Sequence, residues 1–523
     1  MRKTLIYFVF TLTLSFLYLN NLIAQVNPIV SFQKISNTQG NFGSNLSAND
    51  LFGNSSDSIG DINGDGVTDI VVSSYGDDEK GTDMGAIYIL RLTVDGFVKS
   101  FTKITKNKNG FTGNIESGDI FGSGFAALGD INNDGHYDIA VGAEYDDDGG
   151  NWNGAIYLLA LDTSGMVLST QKISATSGGF TGILSGTPAF GSDIANIGDL
   201  NGDGINDLAV GSRRDNDGGT RHGAVWILFM NANGTVHHHK KISDTQGGFT
   251  GTLDTEDFFG VCVEYLGDIN NDGHVELAVG SHYDDDGGSN KGAIYILSLD
   301  TGGTVLSYQK ISDTYGNFSN VLSNEDKFGV SITKIGDLNN DSVIDIAVGA
   351  YGDNTAGSHA GAFYILYLNA NGSVKAHVKV TEAYNNFTGN LDPGDLFGVS
   401  VSSIGKYGDM YALLIGARAD DDGATNAGAA YVLSIEGDIY SSLNSLVLHD
   451  DFVYNNPVQN QLFIRHSQDN IDLELYDING KLIIKTILVN GSCSIDLSGL
   501  SSGMYIGVLE KGNYRKSFKI IKE

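Results

Sequence analysis

Residues 121–174 read FGSGFAALGDINNDGHYDIAVGAEYDDDGGNWNGAIYLLALDTSGMVLSTQKIS. Short runs rich in Val, Ile, Leu and Tyr, such as IAVGA at 139–143, alternate here with segments rich in Asp, Asn and Gly, such as YDDDGGNWNG at 145–154. Runs of that length and composition, bounded by turn residues, are strands joined by hairpins. Four fit in the stretch, and no segment after the N-terminal apolar run carries sustained helical periodicity.

The stretch is one copy of a repeat. Phe-Gly recurs at Phe52, Phe121, Phe190, Phe259, Phe328 and Phe397, each 69 residues after the last. Self-similarity at a fixed period marks a repeat architecture, and four-stranded units repeated radially make a β-propeller, in which ring closure protects the sheet edges. The predicted fold is therefore all-β: a six-bladed propeller over residues 25–440, a linker at 441–452 and a small β-sandwich at 453–523. The opening segment IVSFQKIS (29–36) matches the fourth strand of the other units, which the sixth unit lacks after GAAYVLSIEG. The N-terminal strand is thus expected to complete blade six; the competing reading gives that blade its own strand at 439–444.

Five repeats carry an acidic turn: GDINGDGVTD, GDINNDGHYD, GDLNGDGIND, GDINNDGHVE and GDLNNDSVID. Asp, Asn and Asp at alternate positions put three oxygen ligands on one side of a tight turn. The seventh position offers a carbonyl and the ninth a further acid, a donor set suited to Ca²⁺, which takes 6–8 oxygens. The candidate ligands of blade one are Asp61, Asn63, Asp65, the Val67 carbonyl and Asp69. Blade two offers Asp130, Asn132, Asp134, the His136 carbonyl and Asp138. Blade three offers Asp199, Asn201, Asp203, the Ile205 carbonyl and Asp207. Blade four offers Asp268, Asn270, Asp272, the His274 carbonyl and Glu276. Blade five offers Asp337, Asn339, Asp341, the Val343 carbonyl and Asp345. About five structural calcium ions are expected. An EF-hand needs Glu at position 12; Val72, Val141, Val210, Val279 and Val348 stand there, which excludes it. Ser342 replaces the turn glycine at a cost of about 1 kcal/mol. Blade six has Lys406 and Tyr407 in place of ligands, and is expected to bind no ion.

These features resemble FG-GAP repeats, the blades of the integrin α-subunit propeller. The resemblance spans about 400 residues, with two departures: Gly142, Ala143 and Glu144 lack the family's Pro, and integrin propellers usually have seven blades. It implies that the end of the propeller opposite the acidic turns meets ligands. The loops at that end are acidic in every blade (Asp77–Glu79, Asp146–Asp148, Asp215–Asp217, Asp284–Asp286, Asp353 and Asp420–Asp422), which suits a solvated rim or a binding site. Phe42, Phe111, Phe180, Phe249, Phe318 and Phe387 repeat with the same period, for packing between blades or for stacking on sugars.

Composition narrows the function. The 523 residues include 70 Gly and only 4 Pro, and carry 31 Lys and Arg against 63 Asp and Glu, a net charge of −32. Such a chain is repelled by a phosphate backbone, so nucleic acid is not an expected partner. Arg2 and Lys3, an apolar run from Leu5 to Leu19 and small residues before Gln25 read as a signal peptide over 1–24. No later run is long enough to span a membrane as a helix. Cys262 and Cys493 read as small apolar strand residues. His237 and His239 share a strand face but make a poor metal site alone. Gly499, Ser501 and Gly503 match GxSxG without the helix that motif needs. No catalytic constellation stands out.

From residue 453 the net charge is +1, against −35 for residues 25–452. YNNPVQNQL, LYDINGKLI, IDLSGLSSGMY and the ending IIKE resemble the C-terminal sorting domain of type IX secretion cargo. This implies handling by that machinery through residues 453–523, a Gram-negative host of the Bacteroidetes kind, and a secreted or outer-surface location. The expected role is a calcium-binding module for adhesion to an extracellular protein or glycan. The alternatives are a polysaccharide-degrading propeller with its site on the acidic face, and a scaffold without ligand.

Overall fold

The computed structural model describes residues 28–522 other than 133, 185, 383–386, 408–409, 437–445, 450–451, 456–457, 459, 467–470, 478–480, 489–491 and 512–513. The proposed leader (1–24) and the alternative strand at 439–444 lie outside the described residues. The chain divides into two compact units, Asn27–Gly437 and one that contains Asp438–Glu523.

The first unit holds six antiparallel four-stranded sheets. Strand β1 (Ile29–Ile35) precedes the first sheet, which comprises β2 (Phe52–Gly60), β3 (Asp69–Ser74), β4 (Ala86–Leu92) and β5 (Val98–Ile104). The second has β6 (Phe121–Gly129), β7 (Tyr137–Ala143), β8 (Ala155–Leu161) and β9 (Val167–Ser174). The third has β10 (Phe190–Asn196), β11 (Leu208–Ser212), β12 (Ala224–Met230) and β13 (Val236–Ser243). The fourth has β14 (Val263–Gly267), β15 (Val275–Ser281), β16 (Ala293–Leu299) and β17 (Val305–Ser312). The fifth has β18 (Ile332–Gly336), β19 (Asp345–Ala350), β20 (Ala362–Leu368) and β21 (Val374–Val380).

The sixth sheet has β22 (Phe397–Tyr407), β23 (Met410–Ala417) and β24 (Ala429–Glu436), and its fourth strand is β1. Phe32 pairs with Leu433 and Lys34 with Tyr431. The N-terminal strand therefore completes this blade. First strands of successive sheets touch one another, and β2 also touches β22, which closes the ring. Ser400 Oγ donates to the Gly53 carbonyl at 3.0 Å across that last joint, as Ser123 does to Gly191 and Ser192 to Gly260 at 2.9 Å elsewhere.

Middle strands β8, β12, β16 and β20 are buried along their whole length, which is why they read as unbroken apolar runs. The core between sheets is aromatic. Phe111 stacks on Phe121 at 4.8 Å, and Tyr157 meets both edge-on. The equivalents Phe42, Phe180, Phe249, Phe318 and Phe387 are buried in the same way. Each buried phenyl ring contributes about 1.5–3 kcal/mol relative to exposure. The periodic phenylalanines thus pack the core and are not open to sugars. Glycine is required where the sheets meet: Gly154 has φ +83°, and a Cβ there would lie 2.0 Å from the Phe190 carbonyl oxygen.

In the second unit, the two four-stranded sheets run β25 (Leu446–His449), β26 (Phe452–Asn455), β27 (Gln461–His466), β30 (Ser492–Asp496), and β29 (Leu482–Leu488), β28 (Ile471–Asp477), β31 (Gly503–Lys511), β32 (Tyr514–Lys522). Strand β25 falls within the stretch expected as linker. Leu462, Ile464, Leu473, Leu475, Leu509 and Ile520 from both sheets form one buried cluster. Gly499, Ser501 and Gly503 lie at the connection from β30 to β31, not at a strand-to-helix elbow. No helix occurs among the described residues, and so none there is long and apolar enough to cross a membrane.

Candidate functional site

The five acidic turns each join the first and second strands of a sheet and share one hydrogen-bond pattern. In blade one, Asp61 Oδ1 accepts from the Gly64 and Asp65 amides at 2.8 and 3.0 Å, and Oδ2 from Gly66 at 2.7 Å. Asp65 Oδ1 accepts from the Val67 amide and Asp69 Oδ2 from that of Ile62. Asp130, Asp134 and Asp138 repeat this in blade two. Asp199, Asp203 and Asp207 do so in blade three, and Asp268, Asp272 and Glu276 in blade four. In blade five the set is Asp337, Asp341 and Asp345. Ser342 sits at φ +70°, in the left-handed region that its glycine counterparts occupy freely.

Among the described residues, no three His, Cys, Asp or Glu side chains converge as an ion-holding group. The turns gather the acids on one loop but aim them at backbone amides. The donor set still fits a hard cation, because a carboxylate oxygen that accepts one amide keeps a second lone pair. Glu276 Oε1 is buried without a partner. Burial, with repulsion from Asp65 and Asp61, pushes Asp69 up to about 6, and Asp138 and Asp207 rise alike. Asp345 rises to about 7. A cation would relieve that strain. Two turns already hold a counter-charge: Lys99 lies 2.7 Å from Asp65, and Lys375 2.8 Å from Asp341. In blade six, β22 pairs with β23 down to Tyr407 and Met410, and Lys406 lies 4.9 Å from the Tyr411 ring centre.

The acidic loops at the other end are solvated only in part: Asp78, Asp147, Asp285 and Asp421 are exposed, and the first acid of each loop turns inward. Their first acids, Asp77, Asp146, Asp215, Asp284, Asp353 and Asp420, are buried. Each is paired with the lysine of a QKIS-type strand: Lys103, Lys172, Lys241, Lys310, Lys379 and Lys34. The second position caps its own loop, as Asp147 does by accepting from the Trp152 amide. The first acids are internal fastenings. The histidine run behaves similarly: His238 stacks on Phe229 at 4.0 Å, and His239 packs against Phe180 and Trp226. Cys262 is buried just before β14, its Sγ 3.2 Å from the Gly329 carbonyl oxygen.

A cavity of about 1110 Å³ runs between the first strands. Along it stand Asp57, Asp193, Glu264 and Lys334, where the equivalent positions of the other blades carry no charged residue apart from the Asp57 and Glu264 pair of one column. Burial pushes Asp57 up to about 6, Glu264 to about 7 and Asp193 to about 8. At the end away from the acidic turns, the residues that follow each second strand close around the mouth: Tyr75, Glu144, Arg213, His282, Tyr351 and Arg418. Glu144 is held bidentately by Arg213, at 2.7 and 2.8 Å. This set breaks the repeat symmetry, and sequence reasoning passed over it. Its signal was the residue that follows the small Ser or Ala at the end of each second strand, which differs from blade to blade after a nearly constant run.

With this geometry in view, the class is clear: the chain carries FG-GAP repeats. The FG-GAP repeat family matches residues 52–90, 121–159, 190–228 and 265–297, and a second FG-GAP repeat family matches 390–433. Residues 452–523 match the secretion system C-terminal sorting domain. Relatives include integrin alpha-PS5 of Drosophila melanogaster, 35% identical over 160 residues, or 29% of this chain and 14% of that protein. Integrin alpha-6 of Gallus gallus is 33% identical over 207 residues, 39% of this chain and 17% of the relative. The matches thus span under a fifth of those relatives' length. A solved structure of PorZ, a surface component of the type-IX secretion system of Porphyromonas gingivalis, aligns over 87% of this chain and 58% of that one at 14% identity, with a TM-score of 0.37.

Proposed function

We propose that the protein is a calcium-binding, non-enzymatic ligand-binding module, exported by type IX secretion to the cell surface or medium, where it mediates adhesion. Five calcium ions occupy the turns at Asp61–Asp69, Asp130–Asp138, Asp199–Asp207, Asp268–Glu276 and Asp337–Asp345. The observation that carries this reading is the fivefold recurrence of one hydrogen-bonded acidic turn. It holds carboxylates together against their mutual repulsion, an arrangement that a divalent cation stabilises. The C-terminal sorting domain supports export and handling by the secretion machinery, with residues 1–24 as the cleaved leader. The test is a glycan and matrix-protein array probed with calcium and with chelator, beside calorimetric counting of bound ions. Calcium-dependent capture of a ligand and about five ions are expected. Fewer than about three ions at saturation, or no ligand of any class, defeats the proposal.

A further inference from the structure

The chain has twice as many acids as bases, and the lysines of its QKIS-type strands are all paired with aspartates. Two arginines are exceptions: Arg418, which lines the channel mouth, and Arg214, which lies against the lining residues Tyr145 and Trp152. Among the described residues, neither Arg214 nor Arg418 has a carboxylate within ion-pair distance. The Arg418 guanidinium lies 5.7 Å from the Tyr351 ring centre and 6.0 Å from that of Tyr75, and donates to Asn54 Oδ1 at 2.8 Å. Arg214 lies 5.1 Å from the Trp152 ring centre and donates to the Tyr145 hydroxyl at 3.2 Å, while its Nε is buried without an acceptor. His282 lines the same cavity at 5% exposure, and its Nδ1 is also buried without a partner.

We propose that the mouth binds an anionic saccharide, with Arg418 and Arg214 holding its carboxylate or sulfate groups; this rests on the ligand-binding reading above. A guanidinium stacked on an aromatic ring keeps its edge donors available for a planar, two-toothed contact with an oxyanion. Trp152, 37% exposed beside Tyr145, offers an aromatic surface for the sugar ring. The cavity is on the scale of a small-molecule site, and its cations sit among strand ends. A flat protein face, which needs about 800 Å² of contact per partner, does not reach them.

The experiment titrates the calcium-loaded full chain with an oligogalacturonate, a sulfated oligosaccharide, neutral maltohexaose and oligoglutamate. The chain has two tryptophans, and Trp226 is buried, so a change in fluorescence reports Trp152. One of the two anionic saccharides is expected to bind and change that signal, and which one does separates carboxylate from sulfate. Arg418→Gln should weaken binding about tenfold or more, as loss of a charge-assisted contact does. Lys240→Gln, on the fourth strand β13, should not weaken it. If Arg418→Gln fails to fold, Arg418→Lys, which keeps the charge but loses the two-toothed contact, serves in its place and should also weaken binding. Tighter binding of oligoglutamate, or an anionic saccharide that binds Arg418→Gln as it binds the parent, overturns the proposal. So does failure of both anionic saccharides while the array finds a neutral ligand, an outcome that leaves the adhesion reading standing.

Discussion

Lys34 Nζ lies 2.6 Å from Asp420 Oδ2, 386 positions away along the chain. The two side chains are 11% and 1% exposed. Every other blade makes this ion pair within its own repeat; the sixth makes it with the N-terminal strand, so one contact both fastens a loop and closes the ring. Lys34→Met leaves Asp420 buried without its partner, which should cost about 3–5 kcal/mol. Lys103→Met should cost a similar amount, measured by denaturant unfolding. Deleting residues 29–36 should do more, because it bares the edge of β24 and removes Phe32 from its 5.2 Å contact with Phe387. A deletion variant that melts like the parent contradicts this account of closure.

Calcium should act unequally on the five turns. At tenfold excess over its Kd, each independent site stabilises by about 1.4 kcal/mol, and chelation removes that. Asp134→Asn, Asp203→Asn and Asp272→Asn should reduce the calcium-dependent rise in Tm most. Asp65→Asn and Asp341→Asn should reduce it least, because Lys99 and Lys375 already neutralise those carboxylates. Lys99→Leu should accordingly increase the calcium response. Equal responses across the five substitutions contradict the lysine effect.

The channel acids make stability fall as pH rises. Asp193 titrates at about 8 in the folded chain, raised by burial, against 3.8 for the free side chain. The folded state therefore holds the proton more tightly. That contribution is complete below pH 4 and disappears as pH rises through 8. Glu264, at about 7, and Asp57, at about 6, add to it over lower ranges. Asp193→Asn should remove a loss on the order of a few kcal/mol between pH 5 and 9, read from denaturant unfolding at fixed calcium. Parallel profiles for parent and variant contradict the assignment.

Two glycines of similar backbone conformation should respond differently to alanine. Gly202, at φ +80°, has open space where a Cβ would go, so Gly202→Ala should cost about 1 kcal/mol. Gly154→Ala adds a clash with the Phe190 carbonyl to the same backbone strain, and should cost several-fold more or prevent folding. Equal losses in the two variants, by thermal melting, contradict the role given to Gly154 at the blade joint.

Much of the architecture was legible because it is local and repeated. The 69-residue period, four strands per unit, and the match of IVSFQKIS to a missing fourth strand are visible in the chain order alone. They determine the blades and the closure, since within each blade consecutive strands pair and only β1 must travel. The acidic turns were legible for the same reason: all their residues lie within nine positions. Tertiary structure decided what the other acids do. Asp77 and Asp215 look like surface charge in sequence, yet Lys103 and Lys241 reach them from the fourth strand and bury them. It also decided the mouth. Tyr75, Glu144, Arg213, His282, Tyr351 and Arg418 each belong to a different repeat, and only the closed ring brings them to one place. Local spacing encodes hydrogen-bonded neighbours; a site assembled around an axis exists only once the ring has closed.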